Sequence, residues 1–393
     1  MAISSDAVAI PTSLRMSRWA VAAIFGLNGF SFSHWLVRIP DAKAQLALSE
    51  QMLGIVLLFA AIGALIAQPL VGWLIGKVGS KRMTSIMLIS FCLTVMLPGL
   101  ATSAPLMMGA LLILGACNGG LDVSMNAQAA LVEERYGKPI MSSFHGIWSL
   151  GGLLGASLSG IIASWGVALN VHLIVVAIVA TLIGFVLIRG LIPDSGQQGA
   201  GPSFALPPPA LLILGLIAFG VLFCEGAISD WSAVYLRESM GLLDGSAASG
   251  YILFSLTMAI GRLTGDWLTQ RFGPATIIQG GGALVALGMS LAILSNLPLL
   301  AIIGFGFVGA GLACAFPLIL SAASRTPGIN PSTGIAAMAT LGYTGFLVGP
   351  PLIGTVAEYL SLRVTLGLLV GIGLLMLLIG GTVGRNKPAP SQQ

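Results

Sequence analysis

The apolar blocks of this 393-residue chain come twice, the second set displaced from the first by 194 positions, as Gly345 stands to Gly151. Gly151-Gly152-Leu153-Leu154-Gly155-Ala156-Ser157-Leu158-Ser159-Gly160 returns as Gly345-Phe346-Leu347-Val348-Gly349-Pro350-Pro351-Leu352-Ile353-Gly354, with three glycines and two leucines in register. The same displacement carries Gly72-Trp73-Leu74-Ile75-Gly76-Lys77-Val78-Gly79 onto Asp266-Trp267-Leu268-Thr269-Gln270-Arg271-Phe272-Gly273, and Gly115-Ala116 onto Gly309-Ala310. Internal repeats this long demand two structurally equivalent halves, and any shared site falls where they meet.

The blocks are too greasy for water. Hydrophobic residues make up 56% of the chain and charged ones 8%, with a mean hydropathy of +0.99; soluble domains carry about 25% charged residues. About 20 mostly apolar residues cross a bilayer as a helix, and twelve such blocks are present. They run over 17–38, 50–75, 83–101, 106–131, 140–164 and 167–189, then 210–236, 247–269, 275–295, 298–323, 332–357 and 362–384. The expected fold is an all-α membrane protein of twelve spans in two six-helix bundles, 1–189 and 210–393. Between them Gly190–Pro209, rich in Gly, Pro, Ser and Gln and ending in three prolines, reads as a linker.

Net charge is +4, but the basic residues are scattered over short loops, which argues against a nucleic-acid partner. With the N-terminus inside, Arg15, Arg18, Lys77, Lys81, Arg82, Arg135, Lys138, Arg189, Arg271, Arg325, Arg385 and Lys387 all fall on the cytoplasmic side, twelve of the seventeen Lys and Arg. The positive-inside rule then predicts a multi-pass inner-membrane protein with both termini cytoplasmic. The first block has no small-residue cleavage pattern and reads as a spanning helix. Cys92, Cys117, Cys224 and Cys314 sit inside apolar blocks at no metal-ligand spacing, so neither disulfides, a metal nor a cofactor is expected.

An ionisable residue inside a span is expensive and marks function by default. Asn118, Asp122 and Asn126 recur every four residues and form one polar stripe on the fourth block. Asp122 falls within about 5 Å of the bilayer midplane, where it suits a reversible proton carrier, and Glu225 in the seventh block lies at similar depth. Asp230 reads as a rim group nearer the outer surface. Asn28, Ser31, Trp35 and Arg38 share a face of the first block, with Arg38 near enough to the outer interface to snorkel or to bind a substrate. His145, Trp148, Ser149 and Gly152 share a face of the fifth, where an aromatic beside polar groups grips a sugar-like ring. His34 lies on another face and His172 reads as interfacial. Trp231, Tyr343 and Gln279 are weaker cavity candidates. Arg262 and Asp266, four apart near the cytoplasmic end of the eighth block, read as a self-neutralising pair and a conformational latch.

The chain resembles the major facilitator superfamily over essentially its whole length. Gly72 through Arg82 looks like that family's cytoplasmic loop signature, although its usual acidic position is Gly76, and Gln270 in the second copy. The resemblance implies a cytoplasmic gate at Lys77, Arg82 and Arg271, beside Arg262 and Asp266. Gly120 through Ala127 looks like the fourth-helix stretch of the fucose–proton symporter group, in which an acidic residue handles the proton. Gly119 through Gln128, followed by Ser143-Phe144-His145-Gly146, is most similar to YbjJ-type inner-membrane proteins. No Asp stands within the first span, unlike the symporter group, and the antiporter-associated proline of the fifth helix is Ala156 here.

These residues imply alternating access rather than an enzyme. Asp122 and Glu225 are the expected proton-coupling groups. Asn28, Trp35, Arg38, Asn118, Asn126, His145, Trp148 and Tyr343 are the expected substrate contacts. The expected partners are a small polar solute (sugar or polyol), the proton and the lipid bilayer, with the chain a monomer. Efflux of drug-like or amphipathic compounds is the rival reading, carried by Phe30, Phe32, Trp35, Trp148 and abundant Met. A non-transporting membrane sensor is the remote one.

Overall fold

The computed structural model describes residues 11–138, 140–194 and 208–384. Most of the expected linker, 195–207, and the basic residues Arg385 and Lys387 lie outside the described residues. The first half consists of α1 (Thr12–Val37), α2 (Glu50–Val78), α3 (Ser80–Thr94), α4 (Ala104–Tyr136), α5 (Met141–Ser164) and α6 (Leu169–Leu187). The second consists of α7 (Leu212–Val234), α8 (Ser249–Phe272), α9 (Pro274–Leu294), α10 (Pro298–Leu312), α11 (Pro331–Tyr359) and α12 (Gly367–Ile379). Eleven helical segments among the described residues are long and apolar enough to cross a membrane. The twelfth, α8, has the length, but it carries Arg262, Asp266 and Arg271. α4 runs five residues past its apolar block, to Tyr136, because the helix outlasts the hydrocarbon-like stretch and stops only at Gly137, whose φ is +65°.

The duplicated segments fold alike. Gly79 and Gly273 end α2 and α8 with φ of +84° and +81°, a conformation that favours glycine, and the next helix starts at once. At Gly79 the turn is also fastened from afar: the Asp194 carboxylate accepts from the backbone N–H groups of Ser80 (2.8 Å) and Lys81 (3.1 Å), capping α3. Buried Gln128 of α4 donates to the Ser80 hydroxyl at 2.7 Å and exchanges bonds with the backbone of Ile192. The first residues of the expected linker are thus part of the first half.

The repeated glycines divide into two jobs. Gly151 and Gly155 seal α5 onto α1, where a β-carbon would stand 2.1 Å from the Gly26 carbonyl oxygen and 2.2 Å from that of Phe30. Their copy Gly345 does the same for α11 on α7, 2.5 Å from the Phe219 carbonyl. Such backbone approach is how helices associate in lipid, where no hydrophobic drive separates protein from surroundings. The third glycine of each row faces the other half instead. A β-carbon on Gly354 would meet the Glu50 carbonyl at 2.4 Å, and one on Gly160 would meet the Gly245 carbonyl at 3.1 Å. The halves accordingly meet along α2 against α11 and along α5 against α8.

Both seams are tightest at one end, where α1, α5, α7 and α11 finish and α2 and α8 begin. We call it the closed end, and its opposite the termini end.

Candidate functional site

Halfway along the bundle the greasy interior gives way to a polar layer drawn from both halves. Asn28 of α1 donates to the Asn118 Oδ1 of α4 at 2.9 Å and accepts from the Trp148 Nε1 of α5 at 2.8 Å. One helical turn further along α4, the Asn126 amide donates to the Asp122 carboxylate (3.1 Å) and to its carbonyl (2.9 Å). Five sequence-predicted residues of the first half therefore line one wall, in two hydrogen-bonded groups, Asn28 with Asn118 and Trp148, and Asp122 with Asn126. The wall needs no water to satisfy Asn28, yet Asp122 keeps part of its surface open.

The second half completes the layer. Glu225 of α7 pairs with the Arg262 of α8 at 3.3 Å, and the other guanidinium nitrogen reaches the Ser149 hydroxyl of α5 at 3.4 Å. Arg262 therefore crosses between the halves. Exposed His145, stacked edge-on to Phe25 with ring centres 5.3 Å apart, lies within its field. The Tyr343 hydroxyl of α11 is flanked by Gln68 of α2 and lies near both Asp122 and Glu225. Nearer the closed end, buried Tyr251 stands among Ser33, Ser255, Glu225 and Asp230.

Several expectations need correction. Arg262 does not neutralise Asp266: its guanidinium turns to Glu225, about 15 Å short of the end of α8. Asp266 is left exposed near that end. A pairing rule confined to one helix overlooks the acid on its neighbour. Arg38 is no cavity residue either. It is 4% exposed, and its donors are taken by Asp41, by His172 Nδ1 at 2.9 Å and by the Val167 carbonyl at 2.8 Å. Trp35 is buried in the apolar core, away from the polar layer. His172 is buried rather than interfacial, and Trp231 is fully enclosed. Gln279 fastens α9 to α12 through the Leu377 carbonyl. Asp230 belongs to the inner polar surface beneath the closed end, not to a rim.

The charges at the ends of the bundle escape a reading made helix by helix. At the closed end Asp41 accepts from Arg237 at 2.8 Å, and Lys43 donates to Glu238 at 2.5 Å and Glu50 at 3.0 Å. The Glu358 carboxylate accepts from the Gln51 backbone at 3.1 Å. Arg237 and Glu238 stand on a π-helical turn, Tyr235–Ser239, that continues α7. The pairs are separated by 196 and 195 residues, close to the repeat length, because the ends of α1 and α7 are equivalent positions. At the termini end the expected gate residues stay with their own half. Lys77 sits 3.7 Å over the Trp73 ring and Arg271 5.7 Å over that of Trp267, while Arg82 is exposed. Among the described residues none of these joins the halves.

Comparison with known proteins agrees with this architecture. The Major Facilitator Superfamily model matches residues 20–328 and 251–393. An uncharacterised MFS-type transporter of Yersinia pestis is 34% identical over 360 residues, covering 91% of this chain and 92% of that one. The membrane protein MosC of Rhizobium meliloti is 32% identical over 359 residues, covering 91% and 88%. Among solved structures, a bacterial homologue of the human lysosomal transporter Spinster, inward-facing and unoccupied, superposes with a TM-score of 0.73 at 16% identity, covering 97% of this chain and 99% of that one. The nucleoside transporter NupG gives 0.72 at 15% identity, covering 94% and 100%.

Proposed function

The chain belongs to the major facilitator superfamily, and on that premise we propose that it moves a small polar organic solute, a sugar or polyol by preference, by proton-coupled symport across the inner membrane. The observation that carries the reading is the polar layer at the junction of the halves. Among the described residues Asp122 has only Asn126 as hydrogen-bond partner there, and Glu225 is tied to Arg262. Asn28, Asn118, Trp148, His145 and Tyr343 supply amide, indole, imidazole and phenol groups for hydroxyls, and Trp148 a flat face for a ring.

The cycle follows from what each side chain can do. A carboxyl at membrane depth is costly to leave ionised and unpaired. Asp122 takes a proton when the layer faces outward, solute fills the space between the halves, and the closed-end contacts re-form behind it. With both termini cytoplasmic, the closed end is the outer one, and this structure is the inward-facing state. Release of solute and proton then returns Asp122 to its ionised form. Arg262 moves with the second half, and the Ser149 and Glu225 contacts tie its position to the conformation of the site.

Uptake into proteoliposomes under an imposed pH gradient tests this, with labelled sugars and polyols set against nucleosides and cationic dyes. Asp122→Asn should abolish gradient-driven uptake and spare solute exchange. Undiminished accumulation by that variant would remove Asp122 as the coupling group, and export of dyes with no response to sugars would replace the substrate class.

A further inference from the structure

A buried polar chain runs from the core of the first half to the boundary with the second, and the chemistry of its donors leaves it one arrangement. Arg38 carries only donors, so the His172 Nδ1 it approaches at 2.9 Å must accept. The hydrogen of His172 then rests on Nε2, which donates to the His34 Nδ1 at 2.8 Å. The hydrogen of His34 is left on its own Nε2, buried and, among the described residues, without a hydrogen-bond partner. Both rings are enclosed, at 0% and 2% exposure. Beyond Arg38 the chain continues through the Asp41 carboxylate, whose other oxygen accepts from Arg237 of the second half at 2.8 Å.

We propose that the His34–His172 pair is an acid-sensitive release for the closed end: the Asp41–Arg237 latch is held while both rings are neutral, and a proton on either ring frees Arg38 and lets that end open. The inference rests on the alternating-access reading but deals with the latch rather than the solute site. A second proton on His172 would sit on Nδ1 and face the Arg38 guanidinium, donor against donor. One on His34 would sit on its Nδ1 and face the Nε2–H of His172. Neither fits without breaking the chain, so proton uptake and closure exclude each other, and acid favours the open form. The neighbouring elements offer few competing charges. α5 and its connection to α6 contribute the Ser159 hydroxyl against the His34 carbonyl and the Val167 carbonyl on Arg38. α6 contributes His172 itself, and the π-helical turn that follows α7 contributes Arg237 and Glu238. On the first half's own segment stand Arg38, Asp41, Lys43 and Glu50, of which Asp41 is shared between Arg38 and Arg237.

The test measures the width of the closed end without any solute. Nitroxide labels at Gln45 and Leu243, both exposed and on opposite halves, report the separation in the full chain after replacement of its four cysteines. In lipid nanodiscs the short distance should dominate at about pH 8 and give way to a longer one by about pH 5.5, a range that histidine covers. The open-to-closed ratio should change by up to about tenfold per pH unit for each linked proton. His34→Asn/His172→Gln retains an acceptor for Arg38 and an amide pair in place of the two rings but has no ring to titrate, so its distance should stay short at both pH values. His34→Asn/His172→Asn serves the same purpose if that double variant does not fold. A wild-type distance that ignores pH, or a variant that lengthens with acid as wild type does, overturns the proposal. The second outcome would assign the response to Asp41, Glu50 or Glu238. Because no solute is present, failure of this test and failure of the transport reading remain separate results.

Discussion

At the closed end Lys43 reaches across the boundary to Glu238, whereas at the termini end Lys77 lies over Trp73 of its own helix. Both are cations at the tips of spanning helices, and both sit where the duplication sets a matching partner. The difference is what each cation holds together. Lys43 is 7% exposed and binds two carboxylates, one from each half, so it has both partners only while the halves touch. Lys77 and Arg271 are satisfied within their own helices, whatever the other half does. One end of the bundle therefore stores conformational preference, and the other, among the described residues, lets the halves part at no cost in ion pairs.

The glycine rows allow the sharpest test of that contrast. Gly151→Val places its branch against the Gly26 backbone, a contact inside the first half that every state of the molecule must keep. Overpacking of this kind costs about 1–3 kcal/mol, and more where backbone alone must yield. We expect a large loss of melting temperature and of folded yield. Gly354→Val is as crowded, with Glu50 and Gly54 backbone atoms within 3.0 Å of the new β-carbon, but the clash exists only when the closed end is shut. That variant should fold and show the long closed-end distance between labels at Gln45 and Leu243. If both variants lose stability alike, the two glycine positions do not differ in kind.

Lys43→Met should act in the same direction with less force. Glu238 and Glu50 are each about a third exposed at the side chain and regain water once the ammonium is gone. The loss is therefore nearer to about 1 kcal/mol than to the cost of breaking a fully buried pair, a shift of roughly fivefold toward the open form. Labelling kinetics of a single cysteine placed at Tyr251, beneath the latch, would read it. Unchanged kinetics would mean that Lys43 adds nothing to the glycine contacts and the Asp41–Arg237 pair in keeping this end shut.

Much of this architecture is legible in the amino-acid sequence. The repeat and the apolar block lengths suffice for two bundles, and a spacing of four suffices to bring Asn118, Asp122 and Asn126 onto one face. What periodicity cannot supply is the partner of a face. Asn28 and Arg38 share one side of α1 by their spacing, yet α1 packs on different neighbours along its length, and Arg38 meets His172 and Asp41 where Asn28 meets Asn118. Arg262 defeats sequence reasoning for a related cause, since the nearest acid along its own helix, Asp266, is not the nearest in space. The closed-end pairs lie within reach of the repeat: adding its length to Asp41 and Lys43 lands within two residues of Arg237 and Glu238. The His34–His172 contact has no such signature, because it joins two helices of one half at unrelated positions.

The mildest substitution is the one that most directly checks the asymmetry of the ends. Lys77→Met removes the ammonium from the Trp73 ring while keeping a flexible side chain of similar length, at an exposed site where a cation–π contact contributes about 0.5–1 kcal/mol. Because the ring and the cation belong to the same helix, the loss falls equally on open and closed forms and cancels from their ratio. The expected result is a slightly lower melting temperature, with the closed-end distance distribution and the solute exchange rate unchanged. The duplicated partner Arg271, over Trp267, should behave in the same way when replaced by Met, since α8 repeats the arrangement of α2. A shift of the closed-end distance in either variant would mean that these cations reach the opposite half during the cycle. The termini end would then hold a latch of its own, engaged when the opposite end opens.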